Sequence, residues 1–197
     1  MQATEDYLKE LRQDIRFHES LDGIELDFVS TWGLFSPRAI DDGTRLLIPY
    51  LELKPDSDCL DLGCGYGPIG LVLARKAPEG RTTLVDKDFV AVEYARKNIA
   101  LNDIDNAQVV LSNGFDQLPA GQRFDVIVSN IPAKVGKELL TLWLNDAWRR
   151  LTPGGQIYVV TVNGLRLFMK RHLGTVFGNY RKLKQGAHYT VARAVKD

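Results

Sequence analysis

The sequence predicts an α/β fold with a mostly parallel, seven-stranded sheet that ends in an antiparallel C-terminal hairpin. Three observations lead there. From Ser57 onward, apolar runs of strand length alternate with segments of helical periodicity. A glycine-rich turn, Asp61-Leu62-Gly63-Cys64-Gly65-Tyr66-Gly67-Pro68-Ile69-Gly70, follows the first of these runs and opens a helix. Near the end, Gln185-Gly186 alone separates two strand-like segments, too short a link for a parallel crossover.

Length and composition agree with this. The 197 residues suit one domain, or one domain with a short appendage, and are enough to bury a core without staples. Hydrophobic residues at 45% and charged residues at 25% exclude a disordered chain.

Each element has its own signal. Residues 4–13 predict a short amphipathic helix with Tyr7, Leu8 and Leu11 on one stripe and Glu5 and Asp6 in its first turn. Residues 15–18 and 24–28 alternate apolar and polar around Asp22-Gly23, a hairpin turn. This helix and hairpin, residues 1–30, form the expected appendage; residues 31–197 form the main domain. A loop over 31–42 leads to a helix over about 43–53. Strands are expected at 58–62, 81–86, 107–112, 124–129 and 155–162, with helices at about 68–77, 88–101 and 137–151. Repeated strand–helix units place helices on both faces of a parallel sheet. A helix near 164–173 and strands around 175–184 and 187–195 complete the chain.

Several classes are disfavoured. Cys59 and Cys64 are too few for a disulfide framework and suit a reducing cytoplasm. The N-terminal residues lack the basic-then-apolar pattern of a signal peptide, and no apolar run approaches the ~20 residues of a membrane span. His18, His172 and His188 lie far apart with no cysteine at metal spacing, so no metal is expected. The formal net charge is zero, but it divides. Residues 1–132 hold 13 Lys and Arg against 22 Asp and Glu, a net of −9; residues 133–197 hold 12 against 3, a net of +9. Such asymmetry points to a nucleic-acid or membrane contact.

The glycine turn is the strongest motif. Its glycines permit positive φ and close approach of a ligand to the backbone, and Pro68 suits a first helical turn. Asp86 ends the next strand, 19 residues after Gly67, where a carboxylate can accept bonds from two ribose hydroxyls. Gly65-x-Gly67-x-x-Gly70 also matches a dinucleotide fingerprint. Asp61 favours a different nucleotide. It precedes the glycines within the strand, where a pyrophosphate gains nothing from a carboxylate. S-adenosylmethionine (SAM) carries an α-ammonium group that a carboxylate can hold, directly or through water.

Asp61-x-Gly63-x-Gly65-x-Gly67 resembles motif I of class I SAM-dependent methyltransferases, which have a Rossmann-like fold. By that resemblance Asp86 binds the ribose, Lys87 lies along the adenosine, and Asn113 with Gly114 contacts the adenine. The segment Asn130-Ile131-Pro132-Ala133 is similar to the Asn-Pro-Pro-aromatic motif of enzymes that methylate amino groups conjugated to a planar system. An exocyclic amine is a poor nucleophile because its lone pair is delocalised. An Asn side-chain oxygen and a neighbouring carbonyl accept its N–H bonds and favour charge developing on nitrogen. Asn130, Ile131 and Pro132 are therefore the expected catalytic segment, with Asn130 also beside the cofactor. Ile131 in place of Pro frees φ and adds an N–H, so a less pre-set loop is expected. Ala133 in place of the aromatic removes a stacking platform.

Gly33-Leu34-Phe35-Ser36 and Ile40-Asp41-Asp42-Gly43-Thr44, upstream of motif I, extend the resemblance to the methyltransferase small family. The resemblance implies that Phe35 lies at the mouth of the site and that amides near Gly43 and Thr44 meet the methionine carboxylate. Larger members carry a second, degenerate domain, for which 197 residues leave no room. Substrate grip is then expected from the chain's own surface, a homodimer or a partner. Lys134 and Lys137 flank the acceptor segment and are the expected substrate-binding cations. Trp143 and Trp148 read as packing residues.

The expected activity is SAM-dependent N-methylation of an exocyclic amine, guanine N2, in structured or ribosomal RNA. The alternatives are methylation of a protein glutamine or a small planar amine, and a non-catalytic SAM-binding assembly module. An NAD-linked oxidoreductase is the weakest reading, with no hydride-transfer site evident.

Overall fold

The computed structural model describes residues 2–197. The elements run α1 (Gln2–Leu11), β1 (Ile15–Leu21), β2 (Ile24–Ser30), α2 (Asp42–Leu47), β3 (Cys59–Leu62), α3 (Pro68–Lys76), β4 (Thr82–Asp86), α4 (Phe89–Leu101), β5 (Ala107–Leu111), β6 (Phe124–Asn130), α5 (Lys137–Arg150), β7 (Leu151–Val162), α6 (Arg166–Phe177), β8 (Arg181–Gln185) and β9 (Tyr189–Val195). Strand–helix alternation generates a seven-stranded sheet of order β5-β4-β3-β6-β7-β9-β8. The pairs from β5 through β7 are parallel, whereas β9 is antiparallel to both β7 and β8. This is the predicted α/β plan with its terminal hairpin.

Chain order reverses between β3 and β6, its two central neighbours. Connections leave these strands toward opposite faces and open a crevice at their carboxyl ends, where open α/β sheets bind ligands. Alternation along the strands builds a core on each face. Cys59, Val126, Val128, Tyr158 and Val160 join one cluster with α3 and the N-terminal hairpin. Leu60, Leu62, Ile127, Ile157 and Val159 join the other with α5 and α6. Burial on both faces explains why these strands read as unbroken apolar runs.

The β1–β2 hairpin turns at Asp22 and Gly23, with φ of 53° and 78°, as Asp-Gly predicts. It is packed into the first core through Leu21, Leu26 and Phe28. Two buried asparagines, Asn98 of α4 and Asn102 at its C-cap, fasten it. Asn98 accepts from Val29 N–H at 2.7 Å and donates to the carbonyls of Val29 and Tyr66, both at 2.9 Å. Asn102 accepts from Asp27 N–H at 2.9 Å and donates to its carbonyl at 2.8 Å.

Three expected boundaries are corrected. The helix expected over 43–53 is only Asp42–Leu47, followed by a 3-10 turn at Ile48–Tyr50. Pro49 has no N–H to continue the α-helical ladder. The last parallel strand begins at Leu151 rather than 155, because Phe124 pairs with Leu151 and Val126 with Gln156 across a bulge. The strand expected from 175 begins at Arg181. Residues 175–177 instead prolong α6, which buries Met169, Leu173 and Phe177 at four-residue spacing before Gly178 ends it at φ 74°.

Candidate active site

The switch-point crevice is a cavity of about 600 Å³. Its floor is the turn between β3 and α3. Gly63 and Gly65 have φ of 75° and 55°, and a Cβ at either would meet nothing within 4 Å. Their bare faces leave the backbone open to close approach by a ligand. Gly63 and Cys64 N–H both donate to Val85 O at 2.9 Å, tying the turn to β4.

Asp86 ends β4 and fixes the same turn. Its Oδ2 accepts from Gly65 N–H at 2.8 Å and its Oδ1 from Asp88 N–H at 2.9 Å. Each oxygen retains acceptor capacity, and the residue lines the cavity with Lys87. Asp61 lies beneath the turn. Its Oδ2 accepts from Gly70 N–H at 2.8 Å, while its Oδ1 is buried without a partner. Burial pushes its carboxyl up to about 7; the Gly70 N–H opposes this and the Asp86 charge adds to it.

Asn130, Ile131, Pro132 and Ala133 form the facing wall, with Lys134 beyond them. Asn130 Nδ2 donates to Asp41 Oδ1 and Oδ2 at 3.1 and 3.0 Å and to Thr44 Oγ1 at 3.0 Å. Ile131 corrects the expectation of a looser loop. Its N–H donates to Val160 O at 2.9 Å, and its side chain is buried in the second core. The extra N–H left by the missing proline is used to lengthen the β6–β7 pairing.

Phe35 stands at the cavity mouth, 67% exposed. Its loop is bent at Ser36, φ 48°, and held by Tyr66 Oη, which donates to Ser36 O at 3.1 Å and Ala39 O at 3.4 Å.

Several expected contacts differ. Asp61 and Gly67 do not line the cavity: Asp61 is buried beneath the turn, and Gly67 faces the core side chains of Leu71 and Leu84. The amides of Gly43 and Thr44 are not free for a carboxylate, because both donate to Asp41 Oδ1, at 2.8 and 3.3 Å. Asp41 is the N-cap of α2, and of these two residues Thr44 lines the cavity and Gly43 does not. Asn113 is exposed and lies outside the lining. Its N–H donates to Gln117 Oε1 at 2.9 Å and its Nδ2 to Asp116 at 3.3 Å. Ser112, Gly114 and the Trp143 ring packed over Gly114 form that wall instead. Lys137 begins α5 outside the lining.

Sequence reasoning gave no role to Asp41 or Tyr189, both of which line the cavity. An Asp two residues before Gly-Thr signals an N-cap, which was the available clue to Asp41. Tyr189 comes from β9, and nothing local marks it. Three of the basic residues of 133–197 are engaged within the chain. Arg150 donates to the carbonyls of Leu118, Pro119 and Gln122. Arg193 pairs with Glu52 at 2.8 Å. Lys196 lies 4.6 Å from the Trp148 ring centre. Among the described residues no His, Cys, Asp and Glu cluster suits a metal ion, and no helix is long and apolar enough to cross a membrane.

Sheet order, glycine turn and Asn-x-Pro wall together define the Rossmann-like class I methyltransferase fold. The family model for the methyltransferase small domain matches residues 25–193. The chain belongs to that family. It is 37% identical over 156 residues to ribosomal RNA small subunit methyltransferase C of Pseudomonas aeruginosa, covering 76% of this chain and 46% of that protein. It is 33% identical over 137 residues to the uncharacterised Bacillus subtilis protein YbxB, covering 69% and 68%. The solved T. thermophilus 16S rRNA N2 G1207 methyltransferase, in complex with AdoMet and guanosine, superposes with a TM-score of 0.84 at 31% identity. That match covers 93% of this chain and 51% of that one. The chain thus spans about half the length of most of the curated relatives it matches.

Proposed function

We propose that this chain is a SAM-dependent N-methyltransferase acting on an exocyclic amine of a base, guanine N2, in structured or ribosomal RNA. The observation that carries the reading is the meeting, in one cavity, of bare Gly63 and Gly65, Asp86 and the Asn130–Pro132 wall. The residues present fit the cofactor. The glycine faces leave room for it, and the orphaned Asp61 Oδ1 is a buried acceptor awaiting a donor.

Asp86 would accept bonds from the ribose hydroxyls, and Asp61 would hold the α-ammonium group directly or through water. Lys87 would lie along the adenosine, with Ser112, Gly114 and Trp143 walling the base. When bound, SAM supplies a methyl group activated by its sulfonium.

Asn130 Oδ1 accepts an N–H of the target amine and orients its lone pair. As positive charge grows on nitrogen, that bond strengthens, so the residue stabilises the transition state more than the ground state. Most of the gain is positioning, and no strong base is needed before transfer. Pro132 stiffens the wall, and Phe35 covers the mouth and offers an aromatic face where Ala133 has none. Lys134 contacts RNA phosphates beside the reaction centre, and Lys137 does so further out, from the start of α5. The same reading places the protein in the cytoplasm, with residues 1–30 as an appendage on a methyltransferase domain of 31–197 and a homodimer as one source of added grip.

Calorimetry with SAM and with NAD, followed by labelled-methyl transfer to RNA, protein and metabolite fractions, tests this. Binding of SAM and label in RNA are expected. Binding of NAD without SAM, or label confined to protein or metabolites, would overturn the reading.

A further inference from the structure

Asn130 can serve the reaction only if its amide presents oxygen, not nitrogen, to the substrate. Nothing within Asn130 decides this, because the two ends of a primary amide have nearly the same shape. Its strand does not decide it either, since β6 hydrogen-bonds through the backbone and leaves the side-chain torsion free.

We propose that Asp41 is the positioning residue that sets the Asn130 amide, so that Oδ1 faces the acceptor amine. The inference deepens the functional reading above and rests on it. An ionised carboxylate only accepts hydrogen bonds. Asn130 Nδ2 lies 3.1 and 3.0 Å from its two oxygens. A flipped amide would place Asn130 Oδ1 at those same distances, oxygen against two negatively charged oxygens with no proton between. The flipped rotamer is therefore repelled. Thr44 Oγ1, 3.0 Å from Nδ2, takes the remaining donor capacity. With both amide hydrogens engaged, Oδ1 is the end left for a substrate.

Asp41 is itself held. Its Oδ1 also accepts from Gly43 and Thr44 N–H, at 2.8 and 3.3 Å. One carboxylate thus caps α2 and orients an amide 89 residues away. The clamp acts from outside the acceptor segment and is separate from the Ile131 N–H bond to Val160 O. Rigidity that a first proline would give the loop is here divided between a backbone bond and a side-chain clamp.

The test pairs a spectroscopic and a kinetic readout. The Asn130 side-chain amide signals are identified in 15N-labelled protein by their loss in Asn130→Ala. In the wild type two well-separated, slowly exchanging Nδ2 hydrogens are expected. In Asp41→Asn, which keeps the shape and an acceptor for the cap, those signals should move. In Asp41→Ala they should exchange at least about tenfold faster. Kinetically, Asp41→Ala should lower kcat on the order of 100-fold with KM within about threefold, and Asp41→Asn should restore part of the rate. In an Asn130→Ala background neither substitution should lower kcat further, because the clamp then has nothing to hold. Unchanged Asn130 amide signals in Asp41→Ala would overturn the proposal, as would losses that simply add in the double variant. Should Asp41→Ala fail to fold, Asp41→Asn carries both readouts. A wild type that binds SAM but methylates no acceptor would instead defeat the functional reading, while the amide signals still decide whether the clamp exists.

Discussion

Asp61→Asn removes one titrating group and keeps the Oδ acceptor that meets Gly70 N–H at 2.8 Å. In the folded wild type, burial raises the Asp61 carboxyl from 3.8 to about 7. The folded state therefore holds a proton that the unfolded chain has lost across that range. Stability falls as pH rises whenever the folded state binds more protons, so this group costs stability as pH rises through the window. Each tenfold difference in proton affinity between the folded and unfolded chain is worth about 1.4 kcal/mol. The penalty therefore approaches about 4 kcal/mol above pH 7 and is under about 2 kcal/mol at pH 5. The stability difference between variant and wild type should move in the variant's favour by roughly 2–3 kcal/mol between pH 5 and pH 8. The difference between the two pH values is the useful quantity, because the new buried –NH2 adds a constant cost. Urea unfolding of both proteins at pH 5 and pH 8 measures it. Curves that stay parallel across pH would refute the raised carboxyl and, with it, the orphaned acceptor beneath the glycine turn.

Other outcomes follow from single contacts. Asn98→Ala removes three hydrogen bonds and leaves the buried Val29 N–H without a partner, so chemical denaturation should show a loss of about 3 kcal/mol or more. Asp86→Ala removes the acceptor of Gly65 and Asp88 N–H along with the proposed ribose contact. Calorimetry should show SAM affinity weakened by about 1–3 kcal/mol, and wild-type affinity would contradict the ribose assignment.

The fold was legible where the signal is local. Strands buried on both faces and the glycine turn need only neighbouring residues to be recognised. The errors arose where tertiary context overrides local preference. Thr175, Val176 and Phe177 suit a strand by composition, but Phe177 lies one helical step beyond Leu173 on the buried stripe of α6. Residues between Leu151 and Gln156 form a bulge whose register depends on β6. In the site, Asp86 and Asn130 were readable because each is the last residue of its strand, β4 and β6. The pairing of Asp41 with Asn130 was not, since it crosses from one element to another far along the chain. The same applies to the amides of Gly43 and Thr44: a helix start was visible, but its internal cap was the competitor for any ligand. The charge division was real in sequence and only partly so in space. Lys134 stands at the cavity, whereas Arg150, Arg193 and Lys196 are bound up with carbonyls, Glu52 and the Trp148 ring.

In the proposed reaction Asn130 presents its amide oxygen to an exocyclic base amine at the SAM site. Transfer of labelled methyl to structured RNA by the wild type and by Asn130→Ala, with digestion to nucleosides, tests it most directly. Label in N2-methylguanosine is expected with the wild type, and little or none with the variant, whose SAM affinity should be unchanged. Equal labelling by the two proteins, or label on a ring carbon or a ribose oxygen, would contradict it.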